Sequence, residues 1–312
     1  MQIRRFAEEE DLGRLERYLR DRYLESNSTV SWLPERLHDI LYRVAALEAD
    51  AGGARSRDYI FLWEEEDDVV ACILPDGENI YVSIKNGYEH LFPSMAEFSE
   101  KNCLPLFNKA EDGSVKFWIA VSDSLGYAIK ELEALGYRKF DQEEHQLFIY
   151  PMEQDVTVEV PEGFRFMYGE EYPDEVNKWN ALRLGFHDDL EGTGYVTGMD
   201  SYNDRKRSSL YPDSFECIVV NENADESNDV CAYSFVYVDK ETGTALLEPV
   251  STREKYRRRG FGTAMMNGAV RRLKEMGIRK CYVGAFGWRT AFYGSVGFTE
   301  EDTVGFWYRV LN

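Results

Sequence analysis

The sequence predicts an α/β protein of two tandem domains, each a central mixed sheet flanked by helices. Three observations carry this. At 312 residues the chain exceeds the usual size of a single core. Its second half alternates apolar strand-like runs with amphipathic helical ones. A similar order of elements recurs in the first half at an offset of 161 residues, which reads as a duplication.

The second half gives the clearest reading. Residues 164–168 form a short strand, and 172–184 a helix with Trp179, Leu182 and Leu184 on its apolar side. The stretch 192–213 is polar and aromatic, the character of a substrate-side loop. Strands over 215–221 and 230–238 flank the turn-rich segment 222–229, a hairpin by composition. A strand over 244–250, opened by Gly243, leads to the helix 263–276. That helix repeats apolar residues at Met266, Val270, Leu273 and Met276, and Gly277 suits the position after its end. A strand over 280–286, a short helix over 288–296 and a final strand over 303–311 complete the half.

In the first half, a strand over 3–6 and a helix over 11–24 mirror residues 164–184. A strand over 115–121, a helix over 125–135 and a terminal strand over 146–150 mirror the end of the chain. Leu135-Gly136-Tyr137 then falls on Val296-Gly297-Phe298, and Asp141 on Asp302. Residues 151–161, polar and bracketed by Pro151 and Pro161, read as the linker between domains 1–150 and 162–312.

Composition limits the function classes. Net charge is −21; residues 1–155 carry 17 basic and 32 acidic side chains, residues 156–312 carry 19 and 25. This disfavours nucleic acid and anionic membranes as partners and suits a cationic substrate. There is no apolar run of membrane-spanning length and no signal-peptide start, so a cytoplasmic protein is expected. The five scattered cysteines and four dispersed histidines suggest neither a disulfide framework nor a metal site. Oligomeric state is left open.

Against that acidic background, one segment is cationic: Arg253, Lys255, Arg257, Arg258 and Arg259 precede Gly260-Phe261-Gly262. Glycine lets a ligand approach the backbone, and the helix beginning there offers unpaired N–H groups and a positive dipole end. That is a seat for a phosphate or pyrophosphate. The segment ends Gly262-Thr263-Ala264, without the lysine of a P-loop. A dinucleotide fingerprint is also excluded, since its sixth position is Met265 and the strand 280–286 has no acidic residue.

What remains is Q/R-x-x-G-x-G/A, matched by Arg257, Gly260 and Gly262. With the preceding Leu247-Glu248-Pro249-Val250-Ser251-Thr252, it resembles motif A of the GNAT acyl-CoA N-acyltransferases. Tyr293-Gly294-Ser295-Val296-Gly297-Phe298 resembles the same family's motif B. The resemblance, with the repeat, implies a tandem-GNAT protein whose first copy is degenerate. No glycine occurs from Tyr88 to Asp112, and Leu132 stands where Tyr293 would be, so the first copy is expected to bind no CoA and to wall the substrate cleft.

By resemblance, acetyl-CoA is the acyl donor and a small-molecule amine the acceptor, with direct attack and no metal. Cofactor contacts fall on Val250, Thr252, Arg257, Arg258, Arg259, Gly260, Phe261, Gly262 and Thr263, with N–H groups from Arg258 to Thr263 on the pyrophosphate. Tyr293 is the candidate proton donor to the leaving thiolate. Glu248 is a candidate base, directly or through water, and equally a structural carboxylate paired with a neighbour. Trp288-Arg289-Thr290 stands where the family often has an asparagine. Trp179, Tyr195 and Tyr202 either line an amine pocket or pack as ordinary core. The alternative to an enzyme is a non-catalytic CoA-binding or sensing protein.

Overall fold

The structure is a computed structural model. It describes residues 1–28, 32–42, 55–187, 199–224, 229–287 and 289–312, with backbone alone for 142–144 and 200–201. The first half supplies β1 (Gln2–Arg5), α1 (Glu8–Ser26), α2 (Pro34–Tyr42), β2 (Phe61–Glu65), β3 (Asp68–Asp76), β4 (Asn79–Ile84), α3 (Phe92–Asn102), β5 (Val115–Ser122), α4 (Gly126–Ala134) and β6 (Arg138–Tyr150). The second half supplies β7 (Phe164–Tyr168), α5 (Glu175–Phe186), α6 (Met199–Asp204), β8 (Phe215–Asn221), β9 (Val230–Asp239), β10 (Thr244–Thr252), α7 (Phe261–Glu275), β11 (Lys280–Phe286), α8 (Arg289–Val296) and β12 (Thr299–Leu311).

Among the described residues, twelve strands join one mixed sheet, in the order β1-β2-β3-β4-β5-β12-β6-β11-β10-β9-β8-β7. The order is palindromic in kind: five strands of each half run inward to the centre, where the two last strands lie side by side. They lie there exchanged. β12 pairs antiparallel with β5 of the first half, and β6 pairs antiparallel with β11 of the second. Each half has one parallel pair next to its exchanged strand, β4 with β5 and β10 with β11.

Element types follow the sequence closely where the apolar period is clean. β7, β8 and β11 have the expected bounds, and Met266, Val270 and Leu273 of α7 are fully buried against the second half's core. α1 starts three residues earlier than the apolar pattern suggests. Its first turn is Glu8, Glu9, Glu10 and Asp11, which suits the positive end of the helix, and Asp11 accepts from the Ala7 amide at 2.8 Å. β6 and β12 are longer than read, because both are central strands with partners on each side. The hairpin between β8 and β9 forms; residues 225–228 of its turn lie outside the described residues.

Helices α1 and α2 pack across the boundary between the halves through polar groups. Arg20 Nε donates to Asp239 at 2.8 Å, and buried His38 bridges Glu16 and Ser208, each at 2.8 Å. Glu35 is fully buried on α2, and the Thr244 hydroxyl donates to it at 2.5 Å. Burial pushes its carboxyl up to about 8, against the pull of that hydrogen bond. Between about pH 4.5 and 8 the folded protein therefore keeps a proton that the unfolded chain has lost. The sign is fixed by that difference: stability falls as pH rises through this window. Glu35→Gln, which retains a polar partner for Thr244, is expected to flatten the fall and raise Tm at pH 8. Melting curves at pH 5 and 8 check this; an unchanged slope would show that Glu35 does not carry it.

Candidate functional site

The site begins where β10 and β11 part. They pair only over Thr244–Leu246 with Lys280–Tyr282, after which β11 runs on beside β6. β10 keeps its antiparallel pairing with β9, with an irregularity between Leu247 and Val250. Glu248-Pro249 occupies that irregularity, and proline has no N–H for a ladder. The backbone of β10 beyond Leu246 thus faces a wedge-shaped gap and not a neighbouring strand. Val250 and Thr252 lie on its margin, opposite Ser234 and Ala232 of β9.

At the wide end of β10 the chain makes a short turn and enters α7. Arg258 (φ 61°) and Gly260 (φ 83°) are both left-handed, and Gly260 is the N-cap of α7. A Cβ on Gly260 would meet nothing within 4 Å, so its face is open. The Phe261 ring is buried against Phe164 and Tyr256, anchoring the turn through about 2 kcal/mol of apolar burial while leaving the amides outward. Among the described residues, no backbone carbonyl accepts from the N–H groups of Arg258 to Thr263; the first such bond is Ala264 to Gly260, at 2.9 Å. Six consecutive unpartnered amides at a helix start form an anion seat.

The cations around this turn differ in role. Arg258 and Arg259 are exposed beside it. The Arg257 guanidinium is turned inward: Nε donates to the Thr252 carbonyl at 3.0 Å and Nη2 to the Gly185 carbonyl at 3.1 Å. It thereby braces the end of β10 against α5. Arg253 is buried and donates to the Val230 carbonyl at 3.2 Å. A Cβ on Gly262 would stand 2.7 Å from the Phe292 ring, so this glycine admits Phe292 of α8 against the turn.

A cavity of about 310 Å³ fills the gap between β10 and β11. Glu248, Val250 and Tyr293 line it from the second half; Arg36, Asp39, Asp76 and Tyr81 line it from the first. Tyr293 is 7 % exposed, packed on Phe298, Phe292 and Phe148. Burial, and then the Glu248 charge, push its hydroxyl well above the usual phenol range, so it is protonated at neutral pH. Glu248 is held by Arg36, Nη2 to Oε2 at 2.6 Å, and the same guanidinium lies 3.6 Å from Asp39. Burial opposes the Arg36 charge, but Glu248, Asp39 and Asp76 outweigh it and raise its pKa.

Sequence reasoning placed Glu248 and Tyr293 in one cleft, and the structure brings them to one cavity. It missed Arg36, Asp39, Asp76 and His145. No motif marks them, because they reach the cavity through packing between the halves and through the exchanged strand β6. Trp179 is fully buried, and Tyr202 donates to Glu216, which also takes Lys178 and Tyr233, each at 2.7 Å. Burial would raise the Glu216 carboxyl, but Lys178 and the two hydroxyls hold it below the usual range. Both aromatics belong to this buried network and core, and neither lines the cavity. Tyr195 and Trp288 lie outside the described residues.

Residues 178–298 match the model of the Acetyltransferase (GNAT) family. Over its whole length the chain has the tandem GNAT fold. A tandem GNAT protein from the clavulanic acid biosynthesis pathway aligns over 99 % of this chain and 98 % of its own, at 13 % identity and a TM-score of 0.64. A GCN5-related N-acetyltransferase from Sphaerobacter thermophilus covers 99 % and 95 %, at 14 % identity and 0.60. A GNAT-family acetyltransferase from Colwellia psychrerythraea covers 99 % and 100 %, at 12 % and 0.54. No curated protein matches the sequence. Among the described residues, no helix is long and apolar enough to cross a membrane, and no group of three His, Cys, Asp or Glu is placed to hold a metal.

Proposed function

We propose that the protein is an N-acetyltransferase that moves the acetyl group of acetyl-CoA to a primary amine by direct attack. The observation that carries this is the alignment of an amide seat at 258–263 with a strand gap that closes on a buried, protonated tyrosine. The residues fit the donor. The open face of Gly260 and the outward N–H groups of Arg258 to Thr263 suit a pyrophosphate, with Arg258 and Arg259 adding charge. The backbone of Val250 and Thr252 suits the pantetheine arm. Arg257 serves by fixing the carbonyl of Thr252, through its side chain and not by touching the anion.

Acetyl-CoA supplies an activated acyl carbon with a thiolate leaving group. The chain's residues then orient the amine, accept its proton and deliver one to the departing sulfur. Tyr293 donates that proton from its hydroxyl. Glu248, held in place by Arg36, takes up the amine proton through water. Residues 1–150 form a degenerate copy without a CoA seat, joined by 151–161 to the acetyltransferase domain 162–312. Their helix α3 supports this: it is entered through a 3-10 turn at Glu89–Leu91 with Pro93 in its first turn, and the Leu91 and Phe92 amides are already bonded.

Thiol release from acetyl-CoA, measured across a panel of primary amines, tests the activity. Amine-dependent release above the hydrolytic background is expected. Tight acetyl-CoA binding with no amine that stimulates release would favour a CoA-binding protein without catalysis.

A further inference from the structure

Beyond the reaction type, the cavity walls bear on which amine is used, and this inference rests on the acetyltransferase reading. The cavity at Tyr293 continues into a second hollow of about 350 Å³. The two share Asn79, Phe286 and Arg289. This outer hollow is walled by rings from the seam where the halves exchange strands: Trp118 on β5, Phe306 on β12, Phe140 on β6 and Phe286 on β11. Phe286 is the hinge of the trough. It stacks on His145 (centroids 4.3 Å apart, planes 9° apart) and lies at 5.8 Å and 19° from Phe306. Phe286, Trp118 and Phe140 are only half-buried, so part of each ring stays exposed to the hollow.

Two features define the chemistry of an occupant. Half-exposed rings flanking a hollow that opens on the acyl-transfer cavity suit a flat apolar body, since stacking adds about 0.5–1.5 kcal/mol to simple burial. The hollow also carries charge of both signs: Glu78 and Arg289 line it, and outside its lining Lys116 Nζ sits 4.4 Å from the Trp118 ring centre, 5.0 Å from Phe140 and 4.2 Å from Tyr308. His145 is neutral at the junction, pushed down to about 4 by burial and by Arg36. Its ring nitrogens have no hydrogen-bond partner among the described residues.

We infer that the acceptor is a primary amine carrying an aromatic ring, its amine at Tyr293 and its ring in the Phe286–Trp118 trough. Trp118 and Phe140 come from the first half and Phe286 and Phe306 from the second, so both halves shape the choice of acceptor.

Direct binding separates this inference from the reaction itself. Calorimetry on the full chain, with and without CoA, compares 2-phenylethylamine, n-butylamine and spermidine. The ring-bearing amine is expected to bind about tenfold or more tightly than n-butylamine, and spermidine to bind less well than 2-phenylethylamine. Trp118→Ala should weaken 2-phenylethylamine by about three- to tenfold, within the range a lost aromatic contact allows, and leave n-butylamine unchanged. Trp118→Phe should restore most of the loss, and melting curves confirm that both variants fold. Equal affinity for the two monoamines, tighter spermidine, or an equal loss for both monoamines in Trp118→Ala would each overturn the assignment. If 2-phenylethylamine binds as expected but releases no thiol from acetyl-CoA, the trough stands and the transfer reading falls.

Discussion

Tyr293→Phe is expected to keep acetyl-CoA affinity while lowering kcat by about 10²–10⁴ with a good amine substrate, the usual contribution of a positioned proton donor. The reasoning rests on what the substitution removes. The ring packs on Phe298, Phe292 and Phe148, and phenylalanine retains those contacts, so Tm should change little. Only the hydroxyl is lost. It is kept protonated by burial and by the nearby Glu248 charge. A residue that merely packs would give the opposite pattern, near-normal turnover with at most a small stability change. Measuring kcat and Tm on the same variant decides between them, and unchanged turnover would remove Tyr293 from the catalytic residues.

Gly262→Trp should abolish acetyl-CoA binding. Even a single Cβ at this position would stand 2.7 Å from the Phe292 ring, so an indole must displace that ring and fill the space over the turn. The amides of Arg258 to Thr263 would then be screened from a pyrophosphate. Titration calorimetry should show no binding heat at concentrations that saturate the wild type, with a melting curve to confirm that the chain folds. Binding that survives would place the donor elsewhere. Gly260 is the complementary position: space is open around it, but its φ of 83° makes a side chain costly through backbone strain.

Much of the second half was legible in the sequence. The 3.6-residue period of Met266, Val270 and Leu273 and the glycine at 277 set α7 nearly in place, and the motif order placed the turn, β10 and Tyr293 around one cleft. Local signals of that kind depend on neighbours in the chain. The exchange of β6 and β12 does not. At an offset of 161 both terminal strands look alike, and nothing in their composition says which half each completes. Partner choice in a sheet is decided by packing over long sequence distances, which periodicity cannot carry. The same limit explains the missed cavity residues. Arg36 and Asp39 lie on a helix with no motif, and Asp76 ends an ordinary strand. Glu248 was legible as a cleft carboxylate, but its partner lies 212 positions away in the sequence.

The crossed ending of the two halves also has a bearing on how this molecule can fail. A lesion near the C-terminus strips β5 of the first half of one of its two neighbours. Damage to β6, encoded before the linker, uncovers β11 in the half that carries the proposed chemistry. The exchange ties the two halves together, so a single cooperative unfolding transition is expected in spite of the duplicated plan. Such an arrangement is what a strand-swapped pair of identical subunits would become if their genes were joined.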